Sequence, residues 1–358
     1  MKVLLANQST YVYGGAETVI VRLANYLSKH GIENALVTPS LHPDIEKDLV
    51  DTEIIISPKS CSPHSEMRSI HRGIKENESR FNVINPHNYP AEMAVFGCNK
   101  PVVWQCNEPI LAMGSGKKSL TSRMNLAFDK SIVKRNITEV VVADEFNSYR
   151  FERIYHKKPI IIPYGIDTEY FNLNREVNPD AFKILQVGMV QPYKNQLESL
   201  RIINELKNQI PNIRLTFAGW NLPEYKLILD EYIRKNGLQN IVTFSEHVGK
   251  PYLKELYANH DVLLHPIKAQ GGWLSPFEAL CTGLPIIVSN EFTAASIIID
   301  NSIGVVSNSD NYISDLMKVY HNRDKYHKQA LKGKQWVNSN LTWDKYCKGM
   351  INVFEKVI

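Results

Sequence analysis

Residues 2–38 read KVLLANQSTYVYGGAETVIVRLANYLSKHGIENALVT. The run Lys2-Val3-Leu4-Leu5-Ala6 is a short apolar strand, and Gly14-Gly15 makes a turn. Beyond the turn, Ile20, Leu23, Ala24 and Leu27 recur at helical spacing until Gly31 stops the helix. Residues 34–38 form the next strand. Strand, helix, strand in one short stretch favours a parallel sheet covered by helices, so the opening unit is Rossmann-like. Further strands are expected at 81–84, 101–105, 139–143 and 159–163. Together they complete a first domain of residues 1–170.

Between residues 167 and 180 the chain turns polar, with Asn172, Asn174, Asn178 and Pro179, as expected of a linker. A second alternation follows. Strands are expected at 182–187, 213–218, 241–244, 261–265 and 285–289, with helices at 223–236, 252–258 and 275–282 and a further one carrying Leu197, Leu200, Ile203 and Leu206. This second domain spans residues 181–342, and residues 343–358 read as a last helix. In doubly wound sheets ligands bind at the carboxyl ends of the strands, so a cleft between the two domains is the expected site.

The length of 358 residues also suits about two domains. With 44% hydrophobic and 22% charged residues, 18 Gly and 18 Pro, disorder and fibrous readings fail. A net charge of +4 is far from that of a dedicated nucleic-acid binder. The five cysteines (Cys61, Cys98, Cys106, Cys281 and Cys347) are scattered, with no C-x-x-C pair, which reads as a reducing compartment. No apolar run reaches the roughly 18 residues of a membrane span, and residues 1–9 are too polar for a signal peptide. The expected location is the cytoplasm, and sequons such as Asn136-Ile137-Thr138 should stay unmodified.

In the second domain Gly188 ends a strand and Lys194 stands six residues later at the expected start of a helix, where free backbone donors favour an anion. A phosphate fits there, with Lys194 as a point charge on a leaving diphosphate. A solvated lysine in a first turn is the plain alternative. Gly14-Gly15-Ala16-Glu17 offers a similar helix entry in the first domain.

Residues 265–285, His-Pro-Ile-Lys-Ala-Gln-Gly-Gly-Trp-Leu-Ser-Pro-Phe-Glu-Ala-Leu-Cys-Thr-Gly-Leu-Pro, carry the richest signal. Glu278 and the following residues 279–285 resemble the donor-binding segment of the retaining glycosyltransferases of family 4. Further matches lie at residues 14–17 and 162–167, at Val187-Gly188 with Lys194, and at residues 217–219, 244–248 and 256–258. The resemblance spans nearly the whole chain. It implies the GT-B fold, an α/β architecture of two Rossmann-like doubly wound domains facing a central cleft, with a C-terminal helix crossing back to the first.

Carried over by position, the resemblance implies that Glu278 holds the ribose hydroxyls of a nucleotide-sugar and Lys194 its diphosphate. It places the backbone of Gly271, Gly272, Trp273 and Leu274 on the donor sugar and phosphates. Gly188 and Gly219 belong to the same site, Gly14 and Gly15 close over the diphosphate, and His247-Val248 face the base. Ser275-Pro276-Phe277-Glu278 also reads as a capping box with Pro at the first helical position, the structural alternative for Glu278. Three features depart from the family pattern. Gln270 replaces the first Glu, Met189 stands where an Arg is usual, and the turn reads Gln270-Gly271-Gly272-Trp273 instead of Glu-Gly-aromatic-Gly. Trp273 either stacks on a sugar or packs.

Asn85-Pro86-His87-Asn88 resembles the segment that places a histidine near the reacting sugar, and His87 has an ordinary titration range for such work. Glu108 is expected on the acceptor side. No D-x-D, H-E-x-x-H or Cys/His cluster appears, so no metal and no other cofactor are expected. The resemblance implies a retaining hexosyl transfer by front-face attack, with a donor phosphate oxygen taking the acceptor's proton. The expected donor is a UDP- or GDP-sugar and the acceptor a glycan, polysaccharide or lipid-linked molecule, with no nucleic acid partner. A weakly catalytic scaffold subunit and a sugar-nucleotide epimerase of the same fold remain alternatives.

Residues 117–135 hold six basic residues against Asp129 alone, interleaved with Leu120, Met124, Phe128 and Ile132. This pattern suits a helix on a membrane surface, hence a peripheral location on the cytoplasmic membrane face. The same four residues also make an ordinary buried stripe, the plainer expectation.

Overall fold

A computed structural model of the chain describes residues 1–11, 13–58, 62–109, 119–173, 175, 181–246, 249–268 and 271–358. Two compact units result, Met1–Gly165 with Trp343–Ile358, and Ile166–Thr342. The first unit runs β1 (Lys2–Ala6), α1 (Gly15–Lys29), β2 (Glu33–Thr38), α2 (Pro43–Asp48), β3 (Glu53–Ile56), α3 (Pro63–Asn77) and β4 (Val83–Pro86). It continues with β5 (Val103–Gln105), α4 (Leu120–Arg135), β6 (Glu139–Val142), α5 (Glu145–Tyr155) and β7 (Ile160–Ile161). Its strands are ordered β3-β2-β1-β4 and β5-β6-β7, all parallel, and the parallel bridges Ile84 to Val102 and His87 to Gln105 join the two sets.

β1 is covered on both faces, which is why its apolar run is continuous instead of alternating. α1 ends where Gly31 takes a left-handed φ of +69°, and the Ile32 N–H donates to the Leu27 carbonyl.

The second unit runs β8 (Phe182–Val187), α6 (Gln196–Leu206), β9 (Ile213–Ala218), α7 (Pro223–Lys235), β10 (Val242–Ser245), α8 (Lys250–Asn259), β11 (Val262–His265) and α9 (Leu274–Cys281). Then come β12 (Ile286–Ser289), α10 (Ala295–Asn301), β13 (Val305–Ser307), α11 (Tyr312–His321) and α12 (Arg323–Asn340). The sheet order is β10-β9-β8-β11-β12-β13, again parallel, the doubly wound order with its switch point between β8 and β11. The last helix, α13 (Trp343–Val357), packs on the first unit: the Tyr26 hydroxyl donates to Asp344 Oδ1 at 2.8 Å and the Tyr346 hydroxyl to Gln105 Oε1 at 2.9 Å.

Several expectations need correction. Two edge strands, β3 and β13, are not among those expected, because three or four residues with one covered face carry too little periodicity. The strand expected at 81–84 begins at Val83, since Phe81 closes a 3-10 turn and sinks into the core. Part of the polar linker, Asn174, Asn178 and Pro179 included, lies outside the described residues, as does Cys61; Cys98, Cys106, Cys281 and Cys347 are free thiols.

In α4 only part of the apolar stripe is buried. Ile132 is covered, whereas Leu120, Met124 and Phe128 are 75%, 64% and 40% exposed. Beside Ile132 and Val133, α4 buries a polar residue: Asp129 accepts the Tyr155 hydroxyl at 2.6 Å. Lys117 and Lys118 lie outside the described residues.

Glu92 is buried in the same unit. Burial, then the charge on Asp129, push its carboxyl up to about 8, and burial lifts Asp129 to about 6 against the pull of Tyr155 and Lys130. A carboxyl whose folded pKa exceeds its unfolded value makes the protein lose stability as pH rises between the two. At about 1.4 kcal/mol per pH decade, Glu92 withholds up to about 3–5 kcal/mol at pH 9. Glu92→Gln should therefore raise the melting temperature at pH 9 and leave it nearly unchanged at pH 4. An equal loss at both pH values would show that Glu92 serves as a hydrogen-bonding core residue.

Candidate active site

In the second unit, β8 and β9 end at Gly188 and Gly219, with φ of +131° and +144°. A side chain at Gly219 would meet the Gly188 carbonyl oxygen at 2.5 Å, so glycine is required for this close backbone approach. Lys194 belongs to a 3-10 turn, Pro192–Lys194, ahead of α6, and is 6% exposed. This overturns the solvated first-turn lysine. The turn is tied to the loop after β11, since Lys268 N–H donates to the Tyr193 carbonyl at 2.9 Å and Asn195 Nδ2 to the Pro266 carbonyl at 3.0 Å. Gln186 Nε2 donates to the Lys194 carbonyl at 2.7 Å from below.

The ammonium of Lys194 lies against bare backbone. A Cβ on Gly272 would stand 2.5 Å from Lys194 Nζ and 2.9 Å from His265 Nε2, and one on Gly188 would stand 3.4 Å from Nζ. Gly271 and Gly272 have φ of +62° and +75°, a left-handed backbone that glycine adopts without strain. His265, the last residue of β11, is buried and edge-on to Phe292. Burial, then the Lys194 charge, hold its imidazole well below the usual pKa and hence neutral. Trp273 is buried and tilted on Phe277 at 4.6 Å, which settles it as packing.

α9 begins at Leu274 with Trp273 as N-cap, so Ser275 lies inside the helix and the expected capping box does not form. Glu278 instead accepts the Tyr257 hydroxyl on Oε2 at 2.9 Å. Burial lifts Glu278 to about 7, with Asp167 adding to the rise and Tyr257 and Lys250 opposing it. Lys250 and Asp167 pair at 3.6 Å.

In the first unit Gly14 caps α1, and Gly15, its exposed first residue, opens the helix. The Gly14 N–H donates to Glu17 Oε2 at 3.1 Å, so this helix entry carries an acid of its own, whose pKa burial raises. His87 lies just past β4, fully buried, with Nε2 on Asn85 Oδ1 at 2.8 Å. Burial drops its pKa to about 3, so the titration expected of it near neutrality does not occur. Glu108 is half-buried just past β5. A chain of amides not foreseen from the sequence links three strand ends: Asn88 Nδ2 donates to Asn7 at 2.9 Å, Asn107 Nδ2 to Asn88 at 2.6 Å, and the Tyr164 hydroxyl to Asn107.

The structure thus gathers Gly188, Lys194, Gly219, Gly271 and Gly272 into one cradle, with Glu278 on the adjoining helix and Gly14, Gly15, His87 and Glu108 at strand ends of the first unit. Gln270, His247 and Val248 lie outside the described residues. His265 and Tyr257 join the site only in the fold, although the sequence signals each, one closing a central strand and the other within the 256–258 match. Among the described residues, no group of three His, Cys, Asp or Glu is placed to hold a metal, and no helix is long and apolar enough to cross a membrane.

Two parallel doubly wound units with glycine cradles at their strand ends define the GT-B fold of glycosyltransferases. The chain matches the families described as Glycosyl transferases group 1 over residues 171–336 and Glycosyltransferase Family 4 over residues 13–170, and it belongs to this glycosyltransferase family. It is 26% identical over 156 residues to the D-inositol 3-phosphate glycosyltransferase of Paenarthrobacter aurescens, a match covering 41% of this chain and 38% of that protein. In fold it is similar to sucrose-phosphate synthase from Thermosynechococcus elongatus, with TM-score 0.84, 14% identity, and 99% and 98% of the two chains covered. Anabaena HepE in complex with UDP and glucose gives TM-score 0.82 and 14% identity, covering 99% of this chain and 100% of that one.

Proposed function

We propose that this glycosyltransferase moves a hexosyl group from a nucleoside-diphosphate sugar to a glycan, polysaccharide or lipid-linked acceptor with retention of anomeric configuration. The observation that carries the reading is the buried Lys194 ammonium set against the bare backbone of Gly188 and Gly272. A diphosphate brought to that backbone meets a preorganised cation in a water-poor setting, where charge stabilisation is strongest as the leaving group develops. Glu278 takes the ribose. The charge on the diphosphate is then met by protein groups, and no metal is required. HepE, alike in fold, is captured with UDP and glucose, which favours a UDP-sugar.

His87, neutral and buried, has a hydrogen-bonding part at most, and the acceptor's proton goes to a donor phosphate oxygen. The exposed Leu120, Met124 and Phe128 beside Arg123, Lys130, Lys134 and Arg135 favour a peripheral position on an anionic membrane face, and with it a lipid-linked acceptor.

A thermal-shift screen against UDP, GDP, ADP and CMP tests the reading. One nucleoside diphosphate should stabilise the protein, by about 2.7 kcal/mol at a hundred times its Kd. Absence of a shift with all four would sink it in favour of a scaffold subunit.

A further inference from the structure

We propose that Tyr257 is a positioning residue for donor recognition: its hydroxyl holds one oxygen of the Glu278 carboxylate and leaves the other to the ribose diol. The inference rests on the reading of Glu278 as the ribose ligand. Tyr257 is fully buried in α8, its ring edge-on to Phe171 at 5.7 Å and 77°, so its hydroxyl has a fixed reach. Within that reach lie Glu278 Oε2 at 2.9 Å and, at the long distance of 3.4 Å, the Ser275 carbonyl. A phenylalanine would fill the same space, so the hydroxyl adds a costly polar group to the core unless its bond matters. That bond joins α8 to α9 and pins a carboxylate that no cap of α9 restrains.

The hydroxyl also sets the charge. An O–H donated to a carboxylate favours the ionised form. Here it works with Lys250 against burial and against Asp167, while the Cys281 thiol, with Lys334 near it, also faces the pair. An ionised carboxylate only accepts hydrogen bonds, and each of the two hydroxyls of a ribose has an O–H to donate to it. The arrangement therefore discriminates a ribonucleotide from its 2′-deoxy counterpart.

The experiment measures binding of UDP, GDP and ADP and of their 2′-deoxy forms by calorimetry between pH 5.5 and 8.5. The wild type should prefer one ribonucleotide over its deoxy form by about tenfold or more. Tyr257→Phe should lose most of that preference and move the midpoint of the pH profile upward. Installing 3,5-difluorotyrosine at 257, a stronger donor of the same shape, should move it downward and gives a reading even where Tyr257→Phe melts early. A preference lost in Glu278→Gln but intact in Tyr257→Phe, with the fluorinated midpoint unmoved, overturns the role of Tyr257. A preference intact in Glu278→Gln, or missing from the wild type, overturns the ribose reading and this inference with it.

Discussion

Replacing Lys194 with methionine should cut turnover about 10²–10³-fold and leave the protein folded, the loss expected when one preorganised charge-stabilising donor is removed. Methionine has the same unbranched reach, so the packing of the buried stem survives. The ammonium lies 5.3 Å from the centroid of the Tyr193 ring, a cation–π contact worth about 0.5–2 kcal/mol, so a small drop in melting temperature is expected beside the kinetic loss. The surrounding turn is held by other bonds, those of Tyr193, Asn195 and the Lys194 carbonyl, which the substitution does not touch. Gly272→Ala should reproduce much of the kinetic loss by another route. Its methyl would intrude on Lys194 Nζ, on Ile267 Cδ1 and on Nε2 of the buried His265 ring; the first two end flexible side chains and can yield, which displaces the ammonium. Adding a Cβ at φ +75° costs about 1–2 kcal/mol as well. The check is kcat at saturating donor beside the melting temperature. Variants that melt early but turn over normally per folded molecule would make Lys194 a structural residue.

Those residues show what was legible in advance. The glycines and Lys194 stand out because their spacing after a strand end is a local pattern, and the parallel sheets follow from long alternations of strand and helix. What the sequence does not show is which face of a loop closes over which residue. Lys194 reads as the first turn of a helix, and only the bonds from Lys268 and Asn195 to the facing loop turn it inward. The reading of Glu278 as a capping-box acid fails because α9 starts before Ser275, a one-residue shift that a local signature cannot resolve. Tyr257 lies 21 residues from its partner along the chain, so its bond is a product of tertiary packing. The stripe on α4 misleads for a related reason. Periodicity reports an apolar face and not what covers it, and here Asp129 is buried while Leu120 and Met124 face outward.

Glu278→Gln should weaken nucleotide binding about 10–100-fold at pH 8 while raising the melting temperature of the unliganded protein. The first effect follows from replacing hydrogen bonds to a charged acceptor, worth about 1.5–3 kcal/mol, by bonds to a neutral amide. The second follows from linkage. The Glu278 carboxyl titrates near 4.5 in the unfolded chain and about 7 in the fold, chiefly because of burial. Between those values the folded state binds the extra proton, so stability falls as pH rises and the deficit is complete above about 7. Discounted for partial exposure, that deficit is about 1–2 kcal/mol. Glutamine carries no proton to lose, and its amide oxygen still accepts from Tyr257. In the wild type, nucleotide affinity should fall as pH drops through about 7 and the ribose-binding carboxylate is protonated, whereas the glutamine variant should show a flat profile. Binding that is unchanged at pH 8, together with lower melting at every pH, would make Glu278 a structural acid that merely anchors α8 to α9.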